Sequence, residues 1–197
     1  MSLSFKPKNS FKVLQMSLAV HTNLFLSLKQ EEQRDSYNFI RVFLARVRNQ
    51  SLEYQGGFHG NEKIMNLECN LSTGTYLVLV EICDESEKQP QLLIETNGDN
   101  PVKIEALEIS HEDFMTLQSA SVISYCKKTS GIHEINYEKE GTKEIRRFFG
   151  HVLGIVFLYY VNYSEKYELV EKVTKKSNMK SILSHPFNGF EFCFKCL

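Results

Sequence analysis

The sequence predicts an all-β protein, an antiparallel β-sandwich laid out as two consecutive modules. Three observations lead there. Short apolar segments recur at close spacing, divided by Gly, Asn and Asp turn residues. Phe (14) and Tyr (9) are plentiful, and aromatic rings fit pleated surfaces. The segment 74–83, GTYLVLVEIC, carries apolar side chains on both faces, as a strand inside a packed sheet should.

The other elements follow in chain order. Leu24, Leu26 and Leu28 share one face of a strand over 20–28. Segment 37–48 fits two periods. Phe39, Ile40, Phe43, Leu44 and Val47 make a helical stripe, whereas Phe39, Phe43, Ala45 and Val47 make a strand face; the β-rich surroundings favour the strand. Gly56-Gly57 and His59-Gly60-Asn61 are expected to break the chain before a strand at 63–70. Leu71-Ser72-Thr73-Gly74 reads as a turn, with Gly74 free to take a positive φ. Residues 84–90 form a polar, acidic loop. Strands at 91–96 and 101–109 are joined by Asn97-Gly98-Asp99-Asn100, whose Asn-Gly pair favours a hairpin.

The module boundary is placed between 112 and 113, giving one sandwich over 1–112 and a second, smaller sandwich-like module over 113–197. Strand-like segments then resume at 121–126, 132–137, 148–163, 167–173, 179–183 and 190–195. The highly charged segment 138–147 reads as a short helix or an exposed connection.

Composition excludes several classes. The chain has 197 residues, 42% of them hydrophobic, which is enough for a real core. Its net charge of -1 lacks the basic excess of a nucleic-acid binder. Lys6 and Lys8 near the start are followed by no apolar signal region. The longest apolar stretch, 148–161, is too short for a transmembrane span and contains Gly150, His151 and Gly154. Cys69, Cys83, Cys126, Cys193 and Cys196 are odd in number and scattered, which suits reduced thiols and a cytoplasmic location.

Two stretches carry a family resemblance. Leu26-Ser27-Leu28-Lys29-Gln30-Glu31-Glu32-Gln33-Arg34 resembles the strand followed by Gln-x-x-x-Arg of the calpain-type β-sandwich domain, a C2-like fold. That family often has Asp where this chain has Glu32. Leu71-Ser72-Thr73-Gly74-Thr75-Tyr76-Leu77-Val78-Leu79-Val80 is similar to the family's Leu-x-x-Gly-x-Tyr strand. Their order and separation match across about residues 11–109. In the second half, Gly154-Ile155-Val156-Phe157, Asn162-Tyr163-Ser164 and Tyr167-Glu168-Leu169 are similar to segments that follow this domain in calpain-like proteins of protists.

The motif residues, Gln30, Arg34, Leu71, Gly74 and Tyr76, read as folding residues. Leu71 anchors the incoming chain, Gly74 permits the turn, and Tyr76 buries a ring while its hydroxyl seeks a partner. Arg34 is placed to satisfy carbonyls where its strand closes. The resemblance implies the non-protease part of such proteins. A protease would need a cysteine nucleophile, a histidine base and an orienting asparagine on a longer domain. No Gly-x-Ser-x-Gly or phosphate-binding glycine loop is present, and the six histidines are dispersed. The chain is therefore expected not to be an enzyme and to need no cofactor.

Two binding readings remain. The first is a scaffold or protein-interaction module in an intracellular assembly, cytoskeletal or ciliary. The second is a calcium- or phospholipid-responsive domain of C2-like type. It would use the acidic loop Asp84, Glu85 and Glu87, with Asp99 and Asp113 as the other aspartates nearby. Lys172, Lys175, Lys176 and Lys180 would meet anionic lipid or an acidic protein, although Glu165, Glu168 and Glu171 blunt their field. Arg41, Arg46 and Arg48 are expected to face solvent. Cys193 and Cys196 make a Cys-x-x-Cys that reads as strand cysteines, since a structural zinc needs four ligands.

Overall fold

A computed structural model describes residues 1–4, 11–30, 37–82, 91–139, 142–152, 155–163, 179–183 and 191–196. The chain divides into two compact units, Met1–Ser124 and Tyr125–Leu197. This division falls twelve residues after the expected boundary, inside a helix.

The first unit contains β1 (Ser2–Ser4), β2 (Phe11–Leu18), β3 (Thr22–Gln30), β4 (Ile40–Arg48), β5 (Ser51–Gly60), β6 (Ile64–Leu71), β7 (Gly74–Ile82), β8 (Gln91–Gly98) and β9 (Lys103–Leu107). Helix α1 (His111–Lys128) follows. The strands form two antiparallel sheets, ordered β1-β8-β3-β6 and β5-β4-β7-β2-β9. The chain shuttles between them, so most consecutive strands lie in different sheets. The sheets close on a shared core that includes Leu14, Met16, Leu24, Leu26, Leu28, Ile40, Val42, Leu44, Tyr76, Val78, Val80, Leu92 and Ile94. This is the expected all-β sandwich.

The apolar outer face of β7 has a specific cause. Leu77 and Leu79 point away from the shared core and, with Phe11 and Val13 of β2, pack against Phe114 of α1. The five-stranded sheet is thus covered on both faces, and its central strands need apolar residues on both. The same sandwiching explains β2, where Val13 and Leu14 are adjacent and both buried.

The expected strand at 121–126 is instead the end of α1. Val122, Ile123, Tyr125 and Cys126 look strand-like in isolation, but the ends of the segment are marked as helical. Ser110 Oγ accepts from the backbone N–H of Asp113 at 3.1 Å and donates to its carboxylate at 2.6 Å, an N-terminal cap. Glu112 and Asp113 occupy the first turn and Lys127 and Lys128 the last, each on the favourable end of the helix dipole.

Turn chemistry also differs from expectation. Asn97-Gly98 makes no hairpin: β8 pairs with β1 and β3, whereas β9 pairs with β2 in the other sheet. The hairpin of the first unit joins β4 to β5 through Asn49 and Gln50, at φ 48° and 63°. Two positive φ values in a two-residue loop match the twist of paired strands. Gly56-Gly57 does not break the chain either. It lies within β5 at a bulge, where the register with β4 shifts between Leu44 and Ala45. A Cβ on Gly57 would collide with the Val42 carbonyl oxygen, so the pair marks a close backbone approach.

The second unit contains β10 (Ile132–Lys139), β11 (Thr142–Val152), β12 (Ile155–Asn162), β13 (Met179–Leu183) and β14 (Glu191–Cys196). They form one antiparallel sheet, ordered β10-β11-β12-β14-β13. The charged segment 138–147 is therefore largely strand, spanning the end of β10 and half of β11. Its charges are borne on a pleated surface: Arg146 Nε donates to Glu134 on β10 at 2.9 Å and lies over the Phe148 ring. The segment expected as a strand at 167–173 lies outside the described residues.

Candidate functional site

The motif residues come together as structural devices at two places in the sandwich. The first is the arch from β6 to β7, which carries the chain from one sheet to the other. Leu71 is buried in the shared core. Gly74 has φ +147°, a conformation that side-chain-bearing residues rarely adopt. Tyr76 is fully buried, and its hydroxyl donates to the Ser72 carbonyl at 2.7 Å. A tyrosine bonded to backbone a few residues upstream is a recurrent corner device in sandwiches. Arg46 fastens the same arch, donating to the Thr73 carbonyl at 2.7 Å. Replacing Tyr76 by Phe keeps the ring but removes that hydrogen bond. The expected loss is about 1–2 kcal/mol in a urea titration.

The second place surrounds Gln30, the last residue of β3, which is 2% exposed. Its side-chain amide donates to the Asn38 carbonyl at 2.8 Å and to the Glu62 carbonyl at 3.2 Å. Its carbonyl accepts from the Asn38 N–H at 2.9 Å. Gln30 thus does what the sequence suggested for Arg34: it satisfies backbone groups where the strand closes. Arg34 lies outside the described residues.

A polar cluster that sequence reasoning missed occupies the helix-covered face of the five-stranded sheet. Arg41 of β4 stands opposite Glu81 of β7 and opposite His59 of β5. The Arg41 guanidinium lies 3.7 Å from the Glu81 carboxylate, and both side chains are largely covered. Gln118 of α1 donates to the same carboxylate at 2.6 Å. Arg41 is therefore not the solvent-facing residue expected. Its burial follows from α1, which the sequence pattern did not reveal. A charge removed from water needs such partners, so the cluster fixes where α1 docks. Arg46 is partly buried, and only Arg48 of the three arginines is exposed.

His59 stacks on Phe39 at 6.0 Å between ring centres. His59 keeps an exposed edge, and the partial burial of its ring holds its pKa below the ordinary histidine value; the Arg41 charge adds to this, while Glu62 opposes it. The folded state therefore resists protonation more than the unfolded chain does. Stability is highest where both states hold a neutral ring, and falls as pH drops through about 6.5. Wild type is expected to lose more stability between pH 7.5 and 5.5 than His59→Gln, by urea titration at each pH.

The acidic loop Asp84, Glu85 and Glu87 lies outside the described residues, as do Lys172, Lys175 and Lys176. Lys180 falls in β13. The two further aspartates considered for calcium are engaged locally. Asp99 accepts from Asn23 at 2.7 Å, and Asp113 belongs to the cap of α1. Among the described residues no group of three or more His, Cys, Asp or Glu side chains is placed to hold a metal ion. Cys193 and Cys196 fall in β14. Cys69 is half-buried on β6; burial first, then the Glu68 charge, pushes its thiol up to about 11. It is a poor nucleophile at neutral pH.

The sandwich presents two different outer faces. The five-stranded sheet is covered by α1. On the four-stranded sheet, Phe25 of β3 is 43% exposed and Ile64 of β6 is 49% exposed. Around them lie Asn23, Lys29, Asn66, Glu68, Asn70, Glu95 and Asn97, all solvent-facing, with Lys29 directly opposite Ile64 and Glu68 directly opposite Phe25. Asn70 donates to Asn23, which in turn donates to Asp99, a polar chain across one end of this face. No family model matches the chain, and no curated protein matches it. Among the described residues no helix is long and apolar enough to cross a membrane.

Proposed function

We propose that this chain is a non-catalytic β-sandwich protein that binds another protein within an intracellular assembly. This is the scaffold role that the calpain-type resemblance implies, in a cytoskeletal or ciliary setting. The observation that carries the reading is the outer face of the four-stranded sheet, which no described helix covers, with the exposed Phe25 and Ile64 set among amides, carboxylates and Lys29. The two apolar side chains stand four residues apart along the β3–β6 pair, separate anchor points on an otherwise polar, hydrogen-bonding face. The partner contributes apolar groups to meet Phe25 and Ile64 and hydrogen-bonding groups to meet the asparagines.

The calcium-responsive alternative differs in a measurable way. A ligand that binds the native state alone raises the unfolding temperature with its concentration. The proposal predicts the same Tm in millimolar calcium and in chelator. A rise in Tm with calcium, abolished when Asp84, Glu85 and Glu87 are changed to their amides, would replace the proposal with the C2-like reading.

A further inference from the structure

Strand β10 is an edge strand. Among the described residues it pairs with β11 on one side only. Residues 133–138 are all exposed, including the apolar Ile135 (39%) and Tyr137 (40%). An edge strand of this length offers unpaired backbone groups to another strand. Native edges are commonly guarded by Lys, Pro or uncompensated charge. β10 contains no Pro, and its single Lys, Lys139, is the last residue of the strand, beyond the exposed run 133–138. Of the two acidic residues, Glu134 is already held by Arg146 of the adjacent strand.

The sequence of this edge is complementary to itself. We propose that β10 is a homodimerisation edge, at which a second copy of the chain adds its own β10 antiparallel to form a continuous sheet. Centring the pair on Ile135 sets Ile135 against Ile135, His133 against Tyr137, Glu134 against Asn136 and Ile132 against Glu138. Like charges never meet in this register, and both apolar and aromatic side chains find matching neighbours. His133 already packs on Phe149 at 5.6 Å, so the partner Tyr137 would extend an aromatic row along one face. Centring on Glu134 sets that carboxylate against itself. Centring on Asn136 sets Glu134 against Glu138. The occupant is therefore chosen by charge and register, and the inference is independent of the partner-binding face of the first unit.

The test is the solution mass of the full chain across a concentration series, by sedimentation equilibrium. Wild type is expected to approach twice the chain mass. Ile135→Lys and Ile135→Glu each place like charges at the dyad and are expected to stay monomeric, while their equimolar mixture regains the dimer. Far-UV circular dichroism checks that each variant is folded. Hydrogen exchange on wild type gives a second readout, with backbone amides in 132–138 slowing as concentration rises. A wild type that stays monomeric up to its solubility limit overturns the proposal. So does a dimer that Ile135→Lys leaves intact, or exchange in 132–138 that ignores concentration.

Discussion

Phe114→Ala is expected to destabilise the first unit by about 3–5 kcal/mol, the range for truncating a fully buried aromatic. Phe114 is 1% exposed and stacks on Phe11 with ring centres 4.5 Å apart. It is the helix residue around which Phe11, Val13, Leu77 and Leu79 close. Removing it leaves a cavity between α1 and the sheet that the surrounding side chains fill only in part. Local effects separate this account from a general loss of stability. Amides in α1 and in β2 are expected to exchange faster in the variant, while those of β3 and β8, on the opposite sheet, change least. Peptide-resolved hydrogen exchange with a urea titration checks both.

Gln30→Leu is expected to cost about 3 kcal/mol, although it keeps side-chain volume and adds apolar surface. The variant strands the buried N–H and carbonyl of Asn38 and also loses the part-buried bond to the Glu62 carbonyl. Each buried group left unsatisfied costs roughly 1–3 kcal/mol. Gln30→Glu is expected to recover little. A carboxylate can accept from the Asn38 N–H but offers nothing to the two carbonyls. The urea midpoint of each variant distinguishes hydrogen bonding from packing as the role of this residue. A Gln30→Leu variant as stable as wild type would assign the residue to packing.

Much of the fold was legible because strand periodicity is local. β3 declares itself through Leu24, Leu26 and Leu28, and β7 through two apolar faces. The segment 37–48 was ambiguous by period, and its strand state was inferred from context. Failures arose where a tertiary partner sets the pattern. Helix α1 lies against a sheet along Phe114, Leu117 and Ser121, and its β-branched Val122 and Ile123 imitate a strand. The cap at Ser110 and the charges at the two ends, not those residues, mark the segment as helix. Gly56-Gly57 and Asn97-Gly98 show the converse problem. Glycine reports that a Cβ is not tolerated, and the sequence does not say whether a turn, a bulge or a neighbouring backbone is the reason.

The functional site was less legible. The motif residues Gln30, Leu71, Gly74 and Tyr76 were read as folding residues, and each has a structural partner or backbone role. Arg41, Glu81, Gln118 and His59 are too far apart in sequence to suggest a cluster, and only the pairing of β4, β5 and β7 under α1 unites them. Phe25 alternates with the buried Leu24 and Leu26, and nothing local sets it apart from other strand residues. Its exposure becomes informative only once the other face of the sandwich is seen to be covered.

The most direct test of the central claim is affinity capture from native extract, in calcium and in chelator, comparing wild type with a Phe25→Asp, Ile64→Asp variant. Both side chains are exposed, so the variant is expected to fold. Protein binding through the uncovered face predicts a defined set of partners recovered equally in calcium and in chelator, and lost with the double variant. Recovery of the same partners by the variant, or recovery that depends on calcium, would contradict it.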